Sequence, residues 1–190
     1  MNTPPRTPAP LPGFSAPAAG FDEPLAMLQA CHERVRRSLA LLRKVCSRIE
    51  EGSIDAAVHE AAADVLRYFD KAAPHHHEDE EQHIFPRVLE HAVDPALRAA
   101  VLKLQEDHVR MESQWARLRI GLAALAAGRA DGFGAAQIAR ARRFCALYDG
   151  HAHTEEQMVY PLVMTLLDAE ALLRMGDEMA ARRGAVRPPR

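Results

Sequence analysis

The sequence contains few of the residues on which several protein classes depend. It has only three cysteines, Cys31, Cys46 and Cys145, and no Cys-x-x-Cys motif. Neither a disulfide framework nor a cysteine-based zinc site is therefore predicted. No stretch reaches the roughly 18 consecutive apolar residues that a membrane-spanning helix needs. The N-terminus lacks the basic start and apolar run of a secretory signal. We therefore expect a reduced, cytoplasmic chain with no membrane partner.

The chain also lacks a strong charge of either sign. It carries 24 Lys and Arg against 26 Asp and Glu, a formal net charge of -2. Nucleic acid is therefore not an expected partner. No run alternates convincingly between apolar and polar residues, which argues against a β-sheet. A length of 190 residues with 48% hydrophobic content fits one domain with a substantial core.

Proline is unevenly distributed, since seven of the 13 prolines fall in the first 24 residues. We expect residues 1–24 to form a disordered, Pro-rich leader. Residues 183–190 read as a basic, solvated tail. The folded domain is expected between them, over residues 25–182.

Apolar residues within this domain recur at spacings of three and four, which is typical of one face of an α-helix. Short links join the segments, so sequential helices should be neighbours. The expected fold is an all-α, antiparallel, up-and-down four-helix bundle, with a short fifth helix near residues 168–182. Pro74 would kink a continuous helix, so we expect a bend or a helix restart just before His76. The four apolar stripes include Leu25, Leu28, Val35, Leu39, Leu42 and Ile49; Val58, Ala62, Val65 and Phe69; Leu97, Val101, Leu104, Met111, Trp115, Leu118, Leu122 and Leu125; and Ala141, Phe144, Tyr148, Met158 and Leu162.

Six ionisable side chains occupy stripe positions where apolar residues are expected. Burying them unpaired would cost on the order of several kcal/mol each, a cost that bound metal removes. Histidine nitrogen and carboxylate oxygen together suit iron, manganese or zinc. Two of the pairs are spaced i, i+4, which places both members on one helical face. The set could hold two metal ions, with the glutamates shared or bridging. Its members are His32, His76, Glu80, His108, His151 and Glu155.

The chain reads as two similar halves. "HHEDEEQHIFP" at 76–86 aligns with "HAHTEEQMVYP" at 151–161. In each half a lone histidine, His32 or His108, precedes the His-x-x-x-Glu-Glu phrase. Two such helix pairs would build a pseudo-twofold bundle with one dinuclear centre on its axis.

Several residues lie close in sequence to the six candidate ligands, and the pattern leaves more than one role open for them. Glu112, one turn after His108, is either a seventh ligand or a carboxylate at the edge of the bundle. Glu81 and Glu156 read better as part of a solvated face than as functional groups. Asp107 could orient His108, because metal-bound histidines usually donate their other N–H to an acceptor. Trp115, Phe85, Tyr160 and the methionines are expected in the core. The remaining histidines are expected mostly at the surface, with His77 and His83 close enough to act as supporting or entry groups; they are His59, His75, His77, His83, His91 and His153.

The duplicated phrase resembles that of the hemerythrin-like HHE cation-binding family, over about residues 25–165. The resemblance implies a four-helix bundle with a non-haem di-iron site, oxo- or hydroxo-bridged, and assigns ligand roles to the six residues above. The set of four histidines and two glutamates is closest to that of the bacterial repair-of-iron-centres proteins, which respond to nitrosative stress. Zinc and manganese are also compatible with these ligands.

Three functions fit this resemblance. The first is a di-iron protein that binds or senses dioxygen or nitric oxide, or acts in redox or iron homeostasis. The second is iron storage or delivery for the repair of damaged iron–sulfur centres. The third is a regulatory bundle with a structural metal. The sequence shows no nucleophile–base triad, phosphate-binding loop or dinucleotide fingerprint, which favours a metal-binding or sensing protein over a turnover enzyme.

Overall fold

A computed structural model describes residues 20–185, and the predicted leader and tail lie largely outside that range. Seven α-helices occur in this part of the chain, and no strand. Two of them are continuations of longer helices, each joined to its predecessor by a short π-helical turn. The helices are α1 (Pro24–Glu50), α2 (Ala56–Asp79), α3 (Phe85–His91), α4 (Pro95–Ala126), α5 (Ala135–Thr154), α6 (Tyr160–Leu166) and α7 (Ala169–Arg182).

The predicted four-helix bundle with a short fifth helix is confirmed. Helix α1 packs against α2 and α5, and α4 packs against the same two helices, so the four long helices surround one axis. Helix α7 lies against α1 and α2. Aspartate side chains cap three of the helix starts: Asp55, Asp94 and Asp168 accept backbone N–H groups of α2, α4 and α7.

Helix α2 continues through Pro74 without a restart. The interruptions fall later, in the π-helical turns Glu80–Ile84 and Glu155–Val159. A proline occupies the second position of the α-helix that follows each turn, Pro86 in α3 and Pro161 in α6. A proline ring clashes with the carbonyl four residues earlier, and a widened turn relieves that clash.

Each π-turn shifts the helical register. The backbone N–H of Tyr160 bonds to the carbonyl of Glu155, five residues earlier, instead of four. Residues after the turn are consequently rotated about the helix axis. Met158, which the α-helical spacing placed on the fourth apolar stripe, is 39% exposed, whereas Val159 and Tyr160 are buried. The prediction for Met158 was wrong because it assumed an uninterrupted α-helix.

Within residues 20–185, the apolar core consists of two clusters, separated by a layer of buried polar side chains. The larger cluster includes Leu42, Phe69 and Phe144 and lies towards the α1–α2 connection. The smaller includes Leu28 and Phe85 and is covered by α7. The chain passes from one cluster, through the polar layer, to the other along α1 and α4, and likewise along α2 and α5 once their continuations α3 and α6 are included.

Candidate metal centre

The polar layer contains all six residues that the sequence singled out. Each is at most 7% exposed, and the two glutamates are fully buried. One histidine comes from α1, one from α2, one from α4 and one from α5, while each glutamate opens a π-turn. The amphipathic pattern therefore orients all four helices so that their polar interruptions meet at the same height. The six are His32, His76, Glu80, His108, His151 and Glu155.

These side chains form two overlapping groups that could hold metal ions. One consists of His32, His76 and the two glutamates, and the other of His108, His151 and the same two glutamates. Within each group the potential ligand atoms all lie within 4.8 Å of one another. Glu80 and Glu155 thus belong to both groups. Each half of the chain supplies the histidines of one group, and the carboxylates join the two.

The inward-facing atoms are close together but poorly satisfied by hydrogen bonds. His108 Nε2 lies 3.1 Å from His151 Nε2, and His151 Nε2 lies 3.0 Å from Glu155 Oε1. Two ligands of one ion, each about 2.1 Å from it, are separated by about this distance. Neither oxygen of Glu155 has a hydrogen-bond partner, nor has Glu80 Oε2. Buried carboxylate oxygens are rarely left unpaired, so the donor set fits bound cations.

Glutamates from outside the two groups hold the outer nitrogens of two histidines. Glu156 Oε1 lies 2.8 Å from His32 Nδ1, and Glu81 Oε1 lies 2.8 Å from His108 Nδ1. Each contact crosses from one half of the chain to the other. The interpretation of Glu81 and Glu156 as part of a solvated face is therefore replaced by a role in orienting histidines. The repeated Glu-Glu pair was the available signal, but a linear sequence does not show which helix faces the second glutamate.

Tyr160 also contacts the polar layer. Its hydroxyl donates to Glu80 Oε1 at 2.6 Å and lies 3.4 Å from His32 Nε2. Its ring stacks on His32 at a centroid distance of 5.4 Å. The sequence placed Tyr160 only in the core. The burial is confirmed, but the hydroxyl contact required the register shift of the second π-turn.

Burial and neighbouring charged groups shift the pKa values of the residues in the polar layer. Burial opposes protonation of His32, but the carboxylate of Glu155, 3.1 Å from His32 Nε2, together with Glu80 and Glu156, outweighs it and raises the pKa of His32 to about 9. Burial lowers the pKa of His76 to about 3, because Glu80 compensates only in part. The pKa of Glu155 is lowered: burial opposes ionisation, but His151 and His32 outweigh it. The carboxylate of Glu155 is therefore ready to bind a cation.

Several other residues lie apart from the two groups. Glu112 is exposed and belongs to neither. Asp107 is buried but pairs with Lys103 and Arg110 instead of a histidine. His77 is half-buried, and its ring stacks on His108 at a centroid distance of 4.0 Å. Of the other histidines expected at the surface, His91 and His153 are exposed and His59, His75 and His83 are partly buried.

Asp79 is a buried carboxylate that the sequence pattern did not single out. It directly precedes Glu80, is fully buried, and is bound by two arginines at the end of α7. Arg183 Nη2 lies 2.6 Å from Asp79 Oδ2, and Arg182 contacts the other oxygen. Helix α7 is thereby attached to the start of the first π-turn.

A four-helix bundle with buried histidine and carboxylate groups of this kind defines a class of metal-binding helical proteins. The chain belongs to the hemerythrin family: the model of the hemerythrin HHE cation-binding domain matches residues 23–175. It is also 32% identical, over 165 residues, to an uncharacterised protein of Haemophilus influenzae, an alignment that covers 87% of this chain and 92% of the relative. None of the helices in the described range is long and apolar enough to cross a membrane.

Proposed function

We propose that the protein holds two iron ions between four histidines and two shared glutamates, and uses them to bind or sense dioxygen or nitric oxide. The observation that carries this proposal is the membership of Glu80 and Glu155 in both ligand groups. A shared pair of carboxylates is what a dinuclear centre requires and what two independent sites would not need. The proposed ligands are His32, His76, Glu80, His108, His151 and Glu155.

The choice of iron rests on the donor atoms and on the family. A set of imidazole nitrogens and carboxylate oxygens without thiolate suits iron, and also zinc and manganese. When bound, the iron pair would supply redox chemistry and a position at which a diatomic molecule can bind. Two ferrous ions would bring +4 against -2 from the two glutamates, so that each buried carboxylate would have a cation as its partner instead of being buried unpaired.

The chain's own residues would hold and shield this centre. Glu156 and Glu81 keep His32 and His108 oriented with their Nε2 atoms inward. Tyr160 donates to Glu80 and fixes the direction of that carboxylate. The apolar clusters on both sides exclude bulk water from the layer.

The test is to load the metal-free protein with ferrous iron under anaerobic conditions and record its metal content and absorption spectrum before and after air. Two irons per chain and a band that forms with oxygen and disappears on its removal would support reversible binding. Irreversible oxidation of the centre would favour redox chemistry, or iron delivery for the repair of iron–sulfur centres. A failure to bind iron would overturn the proposal and leave a bundle with another metal or none.

A further inference from the structure

The two halves of the metal centre differ in how closed they are on the outer side of their histidines. The sequence repeat gives each position in one half a counterpart in the other. Arg36 and Glu112 each lie four residues after the lone histidine of their half, and Ala152 and His77 each follow the histidine of the His-x-x-x-Glu phrase. The chemistry at both pairs of positions is different.

On the His32 side an ion pair covers the outer glutamate. Arg36 Nη2 donates to both oxygens of Glu156, at 2.5 and 2.6 Å, and Glu156 in turn contacts His32. The Tyr160 ring and hydroxyl cover the inner edge of the same histidine. A small cavity of about 220 Å³ remains beside Glu156.

On the His108 side the equivalent cover is absent. Glu112 stands where the other half has Arg36, and a second carboxylate cannot donate to Glu81. Glu81 is bound instead by Gln105, whose Nε2 lies 2.6 Å from Oε2. Phe85 corresponds to Tyr160 and stacks on His108 without a hydroxyl. A larger cavity, of about 380 Å³, opens here and reaches His108 itself.

The walls of this larger cavity suit a small uncharged molecule. Phe69, Met111, Trp115 and Tyr148 supply an apolar surface, and His77 stands beside His108. The carboxylates Glu78, Glu81 and Glu112 also line it and disfavour anions. Stacking of His77 on His108, and its contact with the Tyr148 hydroxyl at 3.4 Å, places His77 in the cavity wall next to the polar layer.

We propose that this cavity, the His77 channel, is the route by which small uncharged molecules reach the metal held by His108 and His151, so that the two metals are unequally accessible. The inference rests on the proposed function for the metals and adds which of them is the reachable one. Arg36 closes the equivalent route on the His32 side, and the absence of an arginine at position 112 leaves the His77 channel open.

The variant Glu112→Arg tests the inference because it copies the arrangement of the closed half. Arginine at this position can reach Glu81 as Arg36 reaches Glu156. Glu112→Gln is the matched control, since it also removes the negative charge of Glu112 but adds no long, positively charged donor. The anaerobic ferrous protein would be mixed with 2,2′-bipyridine, an uncharged chelator, and iron removal followed by the colour of the chelate.

For the wild-type protein we expect two phases, one iron leaving faster than the other. Glu112→Arg should slow the fast phase about fivefold, the rate equivalent of one partly exposed ion pair, and Glu112→Gln should not. An unchanged fast phase in Glu112→Arg, an equal slowing in Glu112→Gln, or one phase for both irons would overturn the inference. Wild-type protein that binds no iron would instead overturn the proposed function.

A second readout needs no metal. Trp115 is the only tryptophan of the chain and lines the His77 channel. In the metal-free protein, acrylamide should quench Trp115 fluorescence less in Glu112→Arg than in wild type or Glu112→Gln. Equal quenching in all three proteins would show that arginine does not close the channel and would contradict the inference independently of iron.

Discussion

Glu156 binds a histidine from the other half of the chain, with its Oε1 2.8 Å from Nδ1 of His32. Glu81 makes the matching contact with His108. Each His-x-x-x-Glu-Glu phrase therefore directs its first glutamate into the polar layer and its second to a histidine of the opposite helix pair. A carboxylate in this position fixes the tautomer of the ring and leaves its other nitrogen free for a metal.

Removing either of these outer carboxylates should weaken metal binding. We expect Glu156→Gln and Glu81→Gln each to lower metal affinity by about 10–100-fold, the usual effect of losing an acceptor behind a metal-bound histidine. Competition against a fluorescent chelator would measure it. Glu106→Gln is the control, because Glu106 is exposed on α4, pairs with Arg110 and belongs to neither ligand group. Equal affinities for all three variants would contradict an orienting role.

The shared glutamates predict a difference in stoichiometry between ligand variants. His76 belongs to one ligand group, whereas Glu80 belongs to both. His76→Ala should therefore lose one metal ion per chain and retain the other, and Glu80→Gln should weaken both. His75→Ala should retain both, because His75 belongs to neither group. Metal analysis after gel filtration gives the counts. Similar losses from all three would indicate a loose chelating patch instead of a built centre.

Metal binding should release a proton from His32. Its pKa is about 9 in the metal-free fold and about 6.5 in an unfolded chain, so near pH 7 the folded ring is protonated. A metal must displace that proton, and affinity should rise as pH increases towards about 9. Calorimetry in two buffers of different ionisation enthalpy measures the release. In His32→Gln the release should fall, while His75→Gln should leave it intact, since His75 lies outside both ligand groups.

The same raised pKa has an opposite consequence for the metal-free fold. Because the folded state holds the His32 proton more tightly than the unfolded state, this group stabilises the fold fully below about pH 6.5. That contribution is lost as pH rises through about 9. Urea unfolding of the metal-free protein should show a greater loss of stability over this interval in wild type than in His32→Gln. Parallel pH profiles would contradict the prediction.

The two arginines at the C-terminal end of α7, Arg182 and Arg183, should be important for stability. Replacing both Arg182 and Arg183 by Ala would leave Asp79 buried without a cation, at a cost of about 3–5 kcal/mol in the free energy of unfolding. Arg174→Ala is the control on the same helix, where an exposed pair with Glu170 contributes about 0.5 kcal/mol or less. Urea denaturation separates the two. A double variant as stable as the control would show that Asp79 is not dependent on α7.

Sequence periodicity was sufficient to predict the fold, because four amphipathic stripes with short links admit few arrangements. Periodicity also predicted that the polar residues on the four apolar stripes would meet in one layer, which His32, His76, His108 and His151 form. Periodicity did not predict the contacts that Glu81 and Glu156 make with histidines of the opposite helix pair. Glu81 and Glu156 follow buried residues, so periodicity alone placed them at the surface.

Two further features depended on local backbone geometry. The π-turns change the register by one residue, which exposed Met158 and brought Tyr160 to Glu80. A proline two residues into the next helix was the available signal, but Pro74 shows that proline alone does not determine where a helix is interrupted. Pairing of Asp79 with α7 depends on tertiary packing of a distant segment, which no local pattern encodes.

In the described part of the chain, the polar layer also divides the apolar interior into two clusters, with histidines and carboxylates between them. In the metal-free chain we expect each cluster to open as a separate cooperative unit, because polar side chains lie between the two. Ions bound by the proposed ligands would cross-link all four helices at the junction and are expected to convert two units into one. Metal occupancy would then control the cooperativity of unfolding as well as the chemistry of the site. Amide hydrogen exchange should show two opening free energies without metal and a single one with it.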